Sequence, residues 1–172
     1  MRRYSKRSLN NLKGIHPDLR RVIDRALQDG PLDFIVIEGL RTMQRQRELM
    51  ASGASKTMNS RHLTGHAVDI APLAGGEVSW DWPLYYQLEP VVKQAAVDLG
   101  VALEWGGDWK SFKDGPHWQL SWKAYSKDDM KAKARTAPER PARPEPDPLP
   151  TTAPDEPKSF LEALLALFGG RK

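Results

Sequence analysis

Ser60-Arg61-His62-Leu63-Thr64-Gly65-His66-Ala67-Val68-Asp69-Ile70-Ala71 changes character at its midpoint. The second half alternates: Val68 and Ile70 face one way and Asp69 the other, the period-two pattern of a half-buried strand, bounded by Pro72 and Gly75-Gly76. His117-Trp118-Gln119-Leu120-Ser121-Trp122 repeats the pattern more cleanly, with Trp118, Leu120 and Trp122 on one face and His117, Gln119 and Ser121 on the other. Both segments put apolar side chains against a core and chemistry-bearing side chains on the opposite face.

Working outward, Leu19, Val22, Ile23, Ala26 and Leu27 fall at i, i+3, i+4, i+7 and i+8, which predicts a core-facing helix from His16 to Asp29. Pro17 suits its first turn and Gly30-Pro31 stops it. Phe34-Ile35-Val36-Ile37 reads as a short buried strand, followed by a helix capped by Thr42 and ending at Gly53. Lys56 to Ser60 is loop-like. A stretch from Pro83 to Leu99 carries the stripe Leu84, Leu88, Val91, Val92, Ala95, Ala96 and Leu99, with Pro90 implying a kink or two shorter helices. Val101 to Trp105 is a further strand. Helices mixed with non-repeating strands predict an α+β domain with a small, mainly antiparallel sheet and packed helices.

The 172 residues, 19.4 kDa, suit one domain with a surplus. Residues 1–130 form the expected folded domain. Eight of the 14 prolines lie between Pro138 and Pro157, so 131–158 reads as a disordered linker, and 159–172 as a short apolar helix with Ser159 and Glu162 as a capping box. That helix suits a lipid anchor, a partner-docking element or a piece folding back on the core. Residues 1–25 hold eight Lys or Arg against Asp18 and Asp24, a local +6 within a net charge of +4. Such an end suits contact with an outer membrane or another anionic surface, or solubility alone. It lacks the interleaved aromatics of a nucleic-acid site, and no nucleic-acid partner is expected. No cysteine is present, which excludes disulfides, thiolate metal sites and cysteine nucleophiles. The basic start lacks the apolar core of a signal peptide, so the chain is expected to be made in the cytoplasm.

Two histidines and an aspartate on the polar faces can offer two imidazole nitrogens and a carboxylate oxygen to zinc, leaving a fourth position for water. Such an ion lowers the pKa of water and polarises a carbonyl, as amide hydrolysis requires. Asp114, three residues before His117 across Gly115-Pro116, is a candidate general base and equally a turn-forming Asp. His16 reads as structural, and His66 as structural or at the substrate rim.

Ser60-x-His62-x-x-Gly65-x-Ala67-x-Asp69, followed by Asp114-x-x-His117-Trp118, resembles the VanY-type D-alanyl-D-alanine carboxypeptidase family of zinc peptidases and its phage L-alanyl-D-glutamate endopeptidase branch. The resemblance covers most of residues 15–125. It implies the hedgehog/D-Ala-D-Ala peptidase-like fold, Zn2+ held by His62, Asp69 and His117, and Asp114 as the catalytic base. Glu38-Gly39-Leu40-Arg41-Thr42 matches the family's arginine turn, so Arg41 is carried over as a binder of substrate carboxylate or a stabiliser of the developing oxyanion. Ser60 and Trp109 are carried over as substrate-binding residues. Trp105-Gly106-Gly107-Asp108-Trp109 is similar to the endopeptidase branch, with Trp105 a cleft wall or a core residue. An Asp at position 114, rather than Glu, and the short core favour that branch.

The implied activity is zinc-dependent hydrolysis of the L-Ala-D-Glu bond of peptidoglycan stem peptides by a monomer that reaches the wall after holin-type release and lyses the host. A D-alanyl-D-alanine carboxypeptidase or dipeptidase would use the same metal and base. A zinc-holding binding module of the hedgehog type is the non-enzymatic alternative, and the filled Asp114 and Arg41 positions argue against it.

Overall fold

A computed structural model describes residues 2–127 and residue 129. The expected linker over 131–158 and helix over 159–172 lie outside the described residues.

The elements are α1 (Lys6–Asn11), α2 (Pro17–Asp29), β1 (Phe34–Glu38), α3 (Met43–Ala51), β2 (Ala67–Ala74), β3 (Glu77–Val78), α4 (Trp82–Asp98), β4 (Leu103–Trp105) and β5 (His117–Leu120), with 3-10 turns at Arg61–Thr64 and Gly106–Asp108. The strands pair in the order β1-β2-β5-β4, β3 joins β2, and every pairing is antiparallel. The architecture is the predicted α+β domain with a small antiparallel sheet.

One face of the sheet is the core. Val36, Val68, Ile70, Trp118 and Leu120 bury against Leu19, Val22, Ile23, Ala26 and Leu27 of α2 and Leu88, Val92, Ala95 and Ala96 of α4. Helix α2 is capped by His16, whose Nδ1 accepts the Asp18 amide, and carries Pro17 in its first turn. His66 is also buried, its ring 5.1 Å from that of His16, so both histidines take the structural reading.

Several expectations are corrected. Helix α4 is one uninterrupted helix, not two, and Pro90 sits inside it. Residues 86 and 90 both lie on its exposed side, so the bond that Pro90 cannot donate to residue 86 is lost toward water and not in the core. Tyr85 joins its buried stripe, whereas Leu84, Val91 and Leu99 are half-buried. Strand β2 runs past Pro72 to Ala74, because Leu73 resumes pairing by donating to the Asp33 carbonyl at 2.8 Å. Strand β4 begins only at Leu103. Helix α3 ends at Ala51, two residues before Gly53. Strand β1 buries only Phe34 and Val36, leaving Ile35 and Ile37 half-exposed on the opposite side. Trp122 lies beyond the end of β5, is 41% exposed, and stacks on the Arg61 guanidinium 4.3 Å away.

The basic N-terminal region is more structured than its charge suggests. It contains α1, capped by the Ser5 hydroxyl, and the buried Ser8 hydroxyl accepts the Val36 amide at 3.1 Å. Arg2, Arg20, Arg21 and Arg25 pair with Asp33, Asp24, Asp18 and Asp29, so half of its eight cations are partly neutralised at home.

Gly65 closes the turn that carries His62, at φ +69, and a Cβ there would lie 2.2 Å from the Gly14 carbonyl oxygen. Gly65→Ala combines left-handed strain with a backbone clash. We expect it to destabilise the domain by about 2 kcal/mol or more in urea unfolding, against about 1 kcal/mol for Gly75→Ala, where φ is +60 but the space is open.

Candidate metal and substrate site

The opposite face of the sheet carries the chemistry. Antiparallel register sets Asp69 of β2 directly across from His117 of β5. His62 reaches the same point from its 3-10 turn, not from a strand, with its amide held by the Ser60 hydroxyl at 3.3 Å. The three ligand atoms form a nearly equilateral triangle: His62 Nε2 to Asp69 Oδ1 3.2 Å, His62 Nε2 to His117 Nδ1 3.2 Å, and His117 Nδ1 to Asp69 Oδ1 3.1 Å. A tetrahedron with zinc–ligand bonds of about 2.0 to 2.1 Å has edges of about 3.3 to 3.4 Å.

The outer nitrogens decide what occupies that triangle. His62 Nδ1 lies 2.8 Å from the Gly39 carbonyl oxygen, which can only accept, so Nδ1 carries the proton. His117 Nε2 lies 3.0 Å from Gln119 Oε1, whose amide nitrogen donates to Glu104 at 2.8 Å, so here too the outer nitrogen donates. In the neutral imidazoles, both inner nitrogens therefore aim lone pairs at each other and at a carboxylate oxygen. Three converging lone pairs repel unless a cation lies among them, so the donor set fits a metal. Protons are the competing cations: burial disfavours the charged form of His117, but the hydrogen bond and charge of Asp69 raise its pKa. Burial likewise opposes the charge of Asp69, yet the two imidazoles hold its pKa well below the carboxylate range.

The group opens into a cleft of about 480 Å³ lined by Arg41, Ser60, Trp109, Asp114 and Trp122 among others. Arg41 is nearly buried and fixed by Glu38, through Nε at 3.0 Å and a second contact from Nη2, and by Gln46 at 2.7 Å. Two of its five N–H groups remain available, and Nη2 lies 3.8 Å from Asp69. A bulge between Val36 and Glu38 places Glu38 beside Asp69.

Asp114 is set by its turn. Its amide donates to the Gly106 carbonyl at 3.0 Å, and the Trp105 indole donates to the Gly115 carbonyl at 2.8 Å. A Cβ on Gly106 would lie 2.5 Å from the Asp114 carbonyl oxygen, so that close approach requires glycine. Trp105 is thus core and turn anchor, not cleft wall. Burial and the Asp69 charge raise the pKa of Asp114, opposed by His117, His62 and Arg41. The Trp109 ring packs 5.0 Å from that of His117. Ser60 lines the cleft, and its hydroxyl accepts the His62 amide.

The structure therefore gathers His62, Asp69, His117, Asp114, Arg41, Ser60 and Trp109 around one cleft. It adds Glu38, Gln46, Gln119 and Glu104, to which the sequence reading gave no role. Gln119 was signalled, since it shares the polar face with His117; Glu104 depends on cross-strand register, and Gln46 on where α3 lands.

A metal-competent group at the floor of a substrate-sized cleft is the arrangement of a hydrolytic centre. Residues 1–121 match the sequence model of the phage L-alanyl-D-glutamate peptidase family, and the chain belongs to that family. It is 33% identical over 116 residues to the L-alanyl-D-glutamate peptidase of Escherichia phage T5, covering 65% of this chain and 85% of the relative. Against the L-alanyl-D-glutamate peptidase of Listeria phage A118 it is 33% identical over 138 residues, covering 78% of this chain and about half (48%) of that protein. The crystal structure of the Serratia marcescens L-Ala D-Glu endopeptidase ChiX superposes with a TM-score of 0.68 at 52% identity, over 72% of this chain and 93% of that one.

Because metal must displace protons from this group, zinc affinity should fall as pH drops through the raised pKa of His117. Competition with a chromophoric chelator at pH 7.5 and 5.5 measures it; equal affinity at both would contradict the ligand assignment. His62→Ala or His117→Ala should lose stoichiometric zinc and unfold at lower temperature.

Proposed function

We propose that this protein is a zinc-dependent endopeptidase that hydrolyses the L-Ala-D-Glu amide of peptidoglycan stem peptides. The observation that carries the reading is the lone-pair triangle of His62, Asp69 and His117, in a chain of the L-alanyl-D-glutamate peptidase family. Two imidazoles and one carboxylate suit zinc with a position left open. When bound, zinc supplies Lewis acidity and lowers the pKa of water at the site.

The chain's own residues supply the rest. Asp114 accepts the proton of the attacking water and passes it to the leaving amine; burial and the Asp69 charge raise its pKa, which makes it a stronger base than an exposed Asp. The free N–H groups of Arg41 face charge that develops on the carbonyl oxygen or a carboxylate of the substrate, and the Glu38–Gln46 clamp holds them there without reorganisation. Trp109 walls the cleft beside His117, and Ser60 acts chiefly by fixing the His62 turn. We place the enzyme, as a monomer, at the bacterial wall during phage or prophage lysis, in keeping with its phage relatives.

Incubation with Gram-negative peptidoglycan, with and without chelator, and mass analysis of the fragments tests this reading. Chelator-sensitive release of stem peptides cut between L-Ala and D-Glu is expected, whereas release of terminal D-Ala alone would overturn it. Asp114→Asn should retain zinc yet lose about 100-fold or more in turnover. Survival of activity within a few-fold would remove Asp114 from the role of base.

A further inference from the structure

Two clefts meet at the metal-competent group. Opposite the Trp109 side a second cleft, of about 370 Å³, opens along the same face of the sheet, and Glu38 and Asp69 line both. Ile35 and Ile37 of β1, Val78 of β3 and the 61%-exposed Trp80 give it an apolar lining, and Arg7 of α1 and Arg45 of α3 add two exposed guanidinium groups. Neither cation is consumed by the fold. Among the described residues Arg7 has no ion pair, and the Arg45 side chain reaches only Glu48 of its own helix, at 3.4 Å. The two acids that line this cleft are already engaged, Glu38 by Arg41 and Asp69 by His62 and His117.

Cutting inside a chain requires room for substrate on both sides of the scissile bond; trimming a terminal residue requires it on one. Resting on the endopeptidase reading, we propose that the Trp80 cleft binds the carboxylate-bearing half of the substrate, on the D-glutamate side of the scissile amide. A D-glutamate linked onward through its side chain keeps its α-carboxylate free. A guanidinium pairs with that group in a planar, two-point contact. Trp80, Ile35 and Ile37 cover the aliphatic parts of the same peptide, which explains why an apolar strand face lies open beside a hydrolytic centre. The Trp109 cleft, walled also by Phe112 and Trp122, then receives the sugar-linked L-alanine side, because aromatic faces suit the apolar faces of pyranose rings.

The test uses the full chain and two soluble muropeptides that differ only in whether the D-glutamate α-carboxylate is free or amidated. The wild type should show the lower KM for the free carboxylate. Arg7→Glu/Arg45→Glu should raise that KM about tenfold and abolish the preference. Trp80→Ala should raise KM for both peptides, and Arg21→Glu, on α2, should leave the preference intact. A wild type that does not distinguish the two peptides, or a double variant that keeps the preference, overturns the proposal. If the wild type cleaves neither peptide, the endopeptidase reading fails instead. Tryptophan-fluorescence titration with the same peptides then decides the subsite: tighter binding of the free carboxylate, lost in the double variant, supports it, and equal binding overturns it.

Discussion

The pairing of Asp69 with His117 across the β2–β5 ladder is the constraint on which the rest of the site depends. A one-residue slip of either strand would send its own member of the pair, Asp69 or His117, into the core and bring Val68 or Trp118 to the outer face. The core prevents the slip, because Val68, Ile70, Trp118 and Leu120 are all fully buried on the other side. Hydrophobic burial therefore fixes the geometry of a polar cluster that would not assemble by itself, since its three lone pairs repel.

His62, the third member of the group, arrives by a different route. The Arg61–Thr64 turn is tied to the end of β5 by the Arg61 guanidinium, which donates to the carbonyls of Leu120, Ser121 and Tyr125 at 2.8 to 3.1 Å. Burying an arginine is costly in desolvation, and its hydrogen bonds to these carbonyls offset that cost by joining the segments that carry His62 and His117, 59 to 64 residues apart in sequence. Beyond the ligands, Gly39 and the Gln119–Glu104 pair orient the imidazoles, while Glu38 and Gln46 orient Arg41. Each arm of the site thus rests on a polar partner anchored in a different element.

Periodicity exposed the parts of this arrangement that follow from local chemistry. The alternation of Val68-Asp69-Ile70 and of His117 to Leu120 assigned the polar face, and the stripe of α2 was legible to the residue. Thr42 and His16 stand where helix starts were expected. Errors fell where a neighbour overrides the local signal. Pro90 reads as a break but lies on the water side of α4, Trp122 reads as core but lies past the end of β5, and α1 was masked by its charge.

By itself the sequence determined the fold class and the face that carries Asp69 and His117, and it singled out His62, Asp69 and His117 as a candidate donor set, because alternation, helical spacing and the donor chemistry of His and Asp are properties of local segments. Only the tertiary structure decided which nitrogen of each histidine faces inward, that His62 comes from a turn, that Glu104 and Gln46 support the site, and that two clefts share Asp69. Those features depend on cross-strand register and on where distant elements land, and both are set by packing of the whole core.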